Sequence, residues 1–161
     1  MSGKEYQFDS GDEGTEERRE HLFRNGPCLD VTVSGLVVQA AGNELEGGGL
    51  SSSPAQALLD TGADLNAING KLALRVGMAQ VGNGYVTGMT GRVLAPIYLG
   101  RMFIPSLRRH VNGHFYGAHL RGRPYQIILG REFLMDFVFR YEGAEGRFYL
   151  RPIDYSSPSD A

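Results

Sequence analysis

The chain has 161 residues, a formal net charge of −2 and a single cysteine. That length allows one compact domain with flanking arms. The near-neutral charge excludes a whole-chain electrostatic affinity for nucleic acid or a membrane surface, and a lone thiol, Cys28, excludes an internal disulfide and a thiolate metal cluster.

The charges are unevenly placed. Glu5, Asp9, Asp12, Glu13, Glu16, Glu17 and Glu20 crowd the start of the chain. Between Asp64 and Glu132 there is no acid, while Lys71, Arg75, Arg92, Arg101, Arg108, Arg109, Arg121, Arg123 and Arg131 all fall there. Residues 1–24 read as an acidic, flexible N-terminal arm, with a short helix over residues 16–23 as the alternative. Residues 25–154 read as the folded domain, and residues 155–161 as a flexible C-terminal tail. No signal-peptide core and no membrane-length apolar run is present. With one free cysteine, the expected setting is the cytoplasm and no membrane partner is expected.

Taken in order, the segments are mostly β. Residues 29–40 are rich in β-branched residues and alternate at first, with Gly35 as a turn or bulge. Residues 44–54 have the composition of a flexible loop. Residues 55–59 form a strand that delivers Asp60. Residues 69–76 read as a short helix with Asn69 as N-cap and Gly77 past its end. Residues 82–92 read as a glycine-tipped hairpin. Residues 93–99 and 102–104 read as two strands around a turn at Gly100. The basic segment 105–124 reads as extra loop material. Residues 125–129 form an apolar strand, residues 131–137 a helix of one or two turns, and residues 138–150 a terminal hairpin. Many short strands with glycine turns predict an all-β barrel or sandwich.

The chemistry centres on Ala57-Leu58-Leu59-Asp60-Thr61-Gly62-Ala63-Asp64. An acid at the end of a buried strand is costly unless it is hydrogen-bonded or paired. Gly62 lets its N–H approach the carboxylate closely, and such donors stabilise the ionised form. This stretch resembles the signature of the retropepsins, the single-lobe, retroviral-type aspartic proteases. A second signature of that family is similar to Ile127-Ile128-Leu129-Gly130-Arg131 followed by Glu132-Phe133-Leu134. Between the two, Tyr85 to Gly91 stands where the family has its flap. The resemblance covers residues 29–151.

The resemblance implies a retropepsin-like acid-protease barrel of short strands with one or two short helices. It implies catalysis by Asp60, with Thr61, Gly62, Ala63, Asp64, Gly130 and Arg131 as support. Arg131 would pair with Asp64 in a bidentate bond, and Gly130 would let the helix approach the loop. Thr87, Gly88, Met89, Thr90 and Gly91 would form the flap over a peptide substrate. Peptide hydrolysis by this route uses two carboxyls that share one proton. The chain supplies one Asp-Thr-Gly, so the second acid comes from another copy across a two-fold axis. A homodimer follows, with no cofactor and no metal. The alternative is a catalytically silent retropepsin fold used for peptide binding or dimerisation. His110, His114 and His119 are loosely spaced and read as solvent-facing rather than zinc-binding. The arginines read as a solvated face or a receiver for the acidic arm, rather than as a nucleic-acid site.

Overall fold

A computed structural model of the chain describes residues 6–7, 14–36, 51–88 and 91–154. Its elements are β1 (Tyr6–Gln7), α1 (Thr15–Asn25), β2 (Cys28–Gly35), β3 (Ser52–Leu59), β4 (Ala67–Asn69), α2 (Gly70–Arg75), β5 (Ala79–Gly88) and β6 (Gly91–Ile104). A 3-10 turn (Pro105–Leu107) follows, then β7 (Arg109–Ala118), β8 (Ile127–Leu129), α3 (Arg131–Leu134), β9 (Phe137–Glu142) and β10 (Arg147–Pro152).

The class is all-β, as expected. Six strands in the order β2-β3-β8-β4-β7-β6 close into a barrel, because β6 also pairs with β2 from Thr32↔Phe103 to Gly35↔Gly100. Closure leaves those strands no open edge. Alternation sends Leu29, Val31 and Val33 of β2 and Ala55, Ala57 and Leu59 of β3 inward, where they meet Met102, Phe115 and Ile127 in one core. β5 hangs from β6 as the outer arm of a long hairpin. A separate sheet, β1-β10-β9, adds Phe148 and Leu150 to the core.

One topological detail positions the site. β8 lies between β3 and β4, parallel to β3 and antiparallel to β4. The chain leaving β3 must therefore cross the end of β8 before it enters β4.

Three expectations are corrected. Gly100 is no turn: β6 runs unbroken through it, and it faces Gly35 on one side and Gly113 on the other. A Cβ there would collide with the Met78 thioether, so its glycine serves close packing. Within the segment 105–124, residues 109–118 are not loop: they form β7, a barrel strand paired with β6 from Arg109 to Tyr116 and with β4 from Tyr116 to Ala118, while residues 119–124 do lie in turns and loop. The inner row of β7 is Val111, Gly113, Phe115 and Gly117. Two glycines in that row hide the period of two, while His110, Asn112 and His114 face outward. Residues 52–54, read as loop, already belong to β3.

The segment read as an arm is partly helical. In α1, Leu22 is buried in the core while Phe23 stays exposed. Glu17 accepts the Gly14 N–H at 3.2 Å at the helix start, and Arg18 Nε donates to the Glu145 carbonyl at 3.3 Å. Gly146, at φ 64°, sits against the backbone of Arg18 and Arg19, where a side chain would collide. The remaining arm residues, 1–5 and 8–13, and the tail 155–161 lie outside the described residues.

Candidate active site

β3 carries Asp60 out of the core. Leu59 is buried, and its N–H donates to the Pro27 carbonyl at 2.9 Å. The Asp60 N–H donates to the Leu129 carbonyl at 3.0 Å, which ties the acid to the end of β8. The chain then turns: the Ala63 N–H donates back to the Asp60 carbonyl at 3.2 Å. Inside this turn the Gly62 N–H donates to Asp60 Oδ1 at 2.8 Å. A Cβ on Gly62 would sit 3.1 Å from that oxygen, so glycine suits the approach. Asp60 is half-buried, and no second side-chain hydrogen bond to it is found among the described residues. One oxygen is thus fixed by the backbone and one is left for other partners.

The loop is locked from below by the second motif. The Arg131 N–H donates to the Ala63 carbonyl at 2.9 Å and the Glu132 N–H to the Asp64 carbonyl at 3.0 Å. Two of the unpaired donors at the start of α3 are therefore spent on the loop. Gly130 makes this fit possible. A Cβ there would lie 2.6 Å from the Leu65 carbonyl oxygen and 2.8 Å from that of Ala63.

Arg131 divides its guanidinium between two partners rather than gripping Asp64 with both arms. Nη2 donates to Asp64 Oδ1, and Nη1 donates to the Thr61 carbonyl at 3.0 Å. The Arg131 and Asp64 side chains are 56% and 74% exposed. In a single chain such a pair contributes about 0–1 kcal/mol. Asp64→Asn is accordingly expected to shift the urea midpoint of the isolated chain by an amount worth less than about 1 kcal/mol.

Asn66 is the residue the sequence reading passed over. It is buried, 9% exposed, the one residue among those described that is both buried and of a polar type. Its Oδ1 accepts the Gly130 N–H at 3.1 Å, and its Nδ2 lies 3.4 Å from Glu132 Oε2. Its carbonyl accepts the Tyr116 N–H at 2.9 Å. Asn66 thereby joins the loop, the start of α3 and β7. The available signal was an amide between Leu65 and Ala67 at the entry to an apolar strand.

Asp60, Thr61, Gly62, Ala63, Asp64, Gly130 and Arg131 thus meet in one place. Thr87, Gly88 and Gly91 lie at the far end of the β5–β6 hairpin, all exposed, with Thr87↔Arg92 and Gly88↔Gly91 as the last pairs and Gly91 at φ 108°. No backbone hydrogen bond joins that end to the Asp60 loop among the described residues. Met89 and Thr90 lie outside the described residues.

His110 packs against Phe103 with ring centroids 4.6 Å apart and the planes tilted by 31°. Among the described residues no three His, Cys, Asp or Glu side chains gather in a metal-binding arrangement. No helix of the described residues is long and apolar enough to cross a membrane. Cys28 donates to the Asn25 carbonyl, and burial, with the nearby Asp30 charge, pushes its thiol up to about 11. Only the thiolate is nucleophilic. At pH 8, iodoacetamide should therefore alkylate native Cys28 on the order of 100-fold more slowly than the unfolded chain, converging as pH rises toward 11.

No protein-family model and no curated protein matches the chain. Among solved structures, the EIAV protease in complex with the inhibitor HBY-793 is similar at 21% identity, over 68% of this chain and 86% of that one, with a TM-score of 0.48. The simian foamy virus (mac) protease is similar at 14% identity, over 68% and 92%, with a TM-score of 0.42. A Legionella pneumophila protein of unknown function is similar at 16% identity, over 52% and 76%, with a TM-score of 0.34. At these identities and scores the likenesses carry no assignment of activity.

Proposed function

We propose that the chain is an aspartic endopeptidase that works as a homodimer in the cytoplasm. The observation that carries this reading is the immobilised Asp60. One carboxyl oxygen accepts the Gly62 N–H at 2.8 Å, and the loop beneath is bonded to Gly130, Arg131 and Glu132. A site held by backbone on a closed barrel is the kind of rigid support that acid–base chemistry needs.

One chain offers one Asp-Thr-Gly acid. Two copies related by a two-fold axis bring Asp60 and its twin together around a shared proton. The ionised carboxylate takes a proton from water as the water oxygen attacks the peptide carbonyl carbon. The protonated carboxyl gives its proton to the carbonyl oxygen, forming a neutral gem-diol. Collapse of that intermediate breaks the C–N bond and delivers a proton to the leaving amine. The substrate lies extended, held by main-chain hydrogen bonds, under a flap formed by residues 87–91. Thr61 and Ala63 supply the loop backbone, and the Asp64–Arg131 pair stiffens its edge.

The test is dilution. Specific activity on an unstructured peptide is expected to fall as the chain is diluted and to recover on concentration. The pH profile is expected to be bell-shaped with its optimum on the acid side, because activity needs one proton on the pair and is lost when both carboxyls are charged or both are neutral. Peptide bound but not cleaved at any concentration favours the silent binding module instead. A rate that climbs steadily through neutral pH rules out the shared proton.

A further inference from the structure

A second site stands apart from the Asp60 loop. A cavity of about 740 Å³ opens where α2 and the ends of β4 and β7 meet β6, and no residue between Asp60 and Asn66 lines it. That volume suits a small organic ligand. Its apolar walls are Leu74, Pro96 and Tyr98, and its basic groups are Lys71, His119 and Arg121. Leu74 is 66% exposed and offers apolar surface to a ligand.

Two observations point to a ligand. The first is uncompensated charge. The lining residues all fall within the stretch from Asp64 to Glu132 that holds no acid. Neither Lys71 nor Arg121 forms an ion pair among the described residues. The second is a polar group in the cavity wall. Tyr98 is 5% exposed, and its Oη, near Gly70, meets no hydrogen-bond partner among the described residues. A phenol O–H with no protein acceptor, at the wall of a cavity, is free to donate to whatever enters it. Gly117 lets β7 pack closely on Pro96, since a Cβ there would lie 2.7 Å from Pro96 Cγ.

We propose that this cavity binds an organic anion, a small molecule bearing a carboxylate or phosphate on an apolar body about the size of a ring. The anionic head sits between Lys71 and Arg121, the Tyr98 hydroxyl donates to it, and the apolar body lies against Leu74 and Pro96. The site goes beyond the protease reading and does not depend on Asp60.

The experiment is a titration of the full, 15N-labelled chain with phenyl phosphate and with benzoate, using inorganic phosphate and benzyl alcohol as the head and body alone. At least one of the two aromatic anions should give saturable shifts at the amides of Lys71, Gly117 and Ala118. Its affinity should exceed that for inorganic phosphate and benzyl alcohol by about tenfold or more, and should fall as salt is raised. Whichever of the two binds more tightly names the head group. The double variant Lys71→Gln/Arg121→Gln changes two exposed side chains and should weaken binding by about tenfold or more. Tyr98→Phe keeps the ring and should weaken it severalfold, and Asp60→Asn should bind like the parent. The proposal fails if neither aromatic anion saturates, if the double variant binds unchanged, or if inorganic phosphate binds equally well, which marks an adventitious ion only. If Tyr98→Phe does not fold, the double variant decides alone.

Discussion

Asp60→Asn is expected to lower peptide turnover by about 10³-fold or more while leaving the fold unchanged. The structure separates the two effects. The Gly62 N–H donates to Asp60 Oδ1, and an asparagine oxygen accepts the same bond. The backbone ties of Asp60, to the Leu129 carbonyl and from the Ala63 N–H, do not involve the side chain. What is lost is a group able to hold or release a proton. Circular dichroism and the unfolding midpoint should match the parent. A mixing experiment then tests the dimer. When equal amounts of variant and parent are dissociated and reassembled at random, roughly a quarter of the dimers keep both acids, and activity should fall to about that fraction. Activity that stays at half places all the machinery in one chain. Hydrolysis that survives in the pure variant ends the protease reading.

Gly130→Ala is expected to be the most damaging single methyl in the site. Gly130 has φ −83°, so alanine brings no backbone strain. The damage is steric, because the new Cβ would press on the Leu65 and Ala63 carbonyl oxygens at 2.6 and 2.8 Å and on the Asp64 carbonyl carbon at 3.0 Å. These are backbone atoms and cannot rotate aside. Overpacking of this kind costs about 1–3 kcal/mol. Moving the loop also displaces Asp60, so turnover should fall further than stability alone explains. Gly113→Ala on β7 is the control: a Cβ there meets nothing within 4 Å, and its urea midpoint should stay near that of the parent. Equal midpoints for the two variants would show that the close approach at Gly130 is not needed.

Much of this was legible in the residues. The strand into Asp60, the helix capped by Asn69, the terminal hairpin and the use of Gly62 all follow from local chemistry. Asn69 indeed accepts the Lys71 N–H at 3.0 Å. β7 was hidden because glycines at 113 and 117 interrupt its apolar period, leaving Phe115 as the buried residue of the strand. Gly100 was misread because a glycine in a strand signals either a turn or a close neighbour, and only the fold brings up Met78. Asn66 was missed for a related reason. An amide looks like a loop residue until the Gly130 N–H arrives from 64 positions away. The split grip of Arg131 depends on where the Thr61 carbonyl points, which composition does not encode.

The insertion of β8 between β3 and β4 also orders events during synthesis. Leu58 pairs with Ile128 and Leu59 with Leu129, partners that a ribosome delivers long after Asp60 itself. Contacts so distant along the chain form late and slowly. A nascent polypeptide that stops short of residue 127 carries the acid but has nothing to seat it against, so any cutting power stays dormant until translation has passed the second motif.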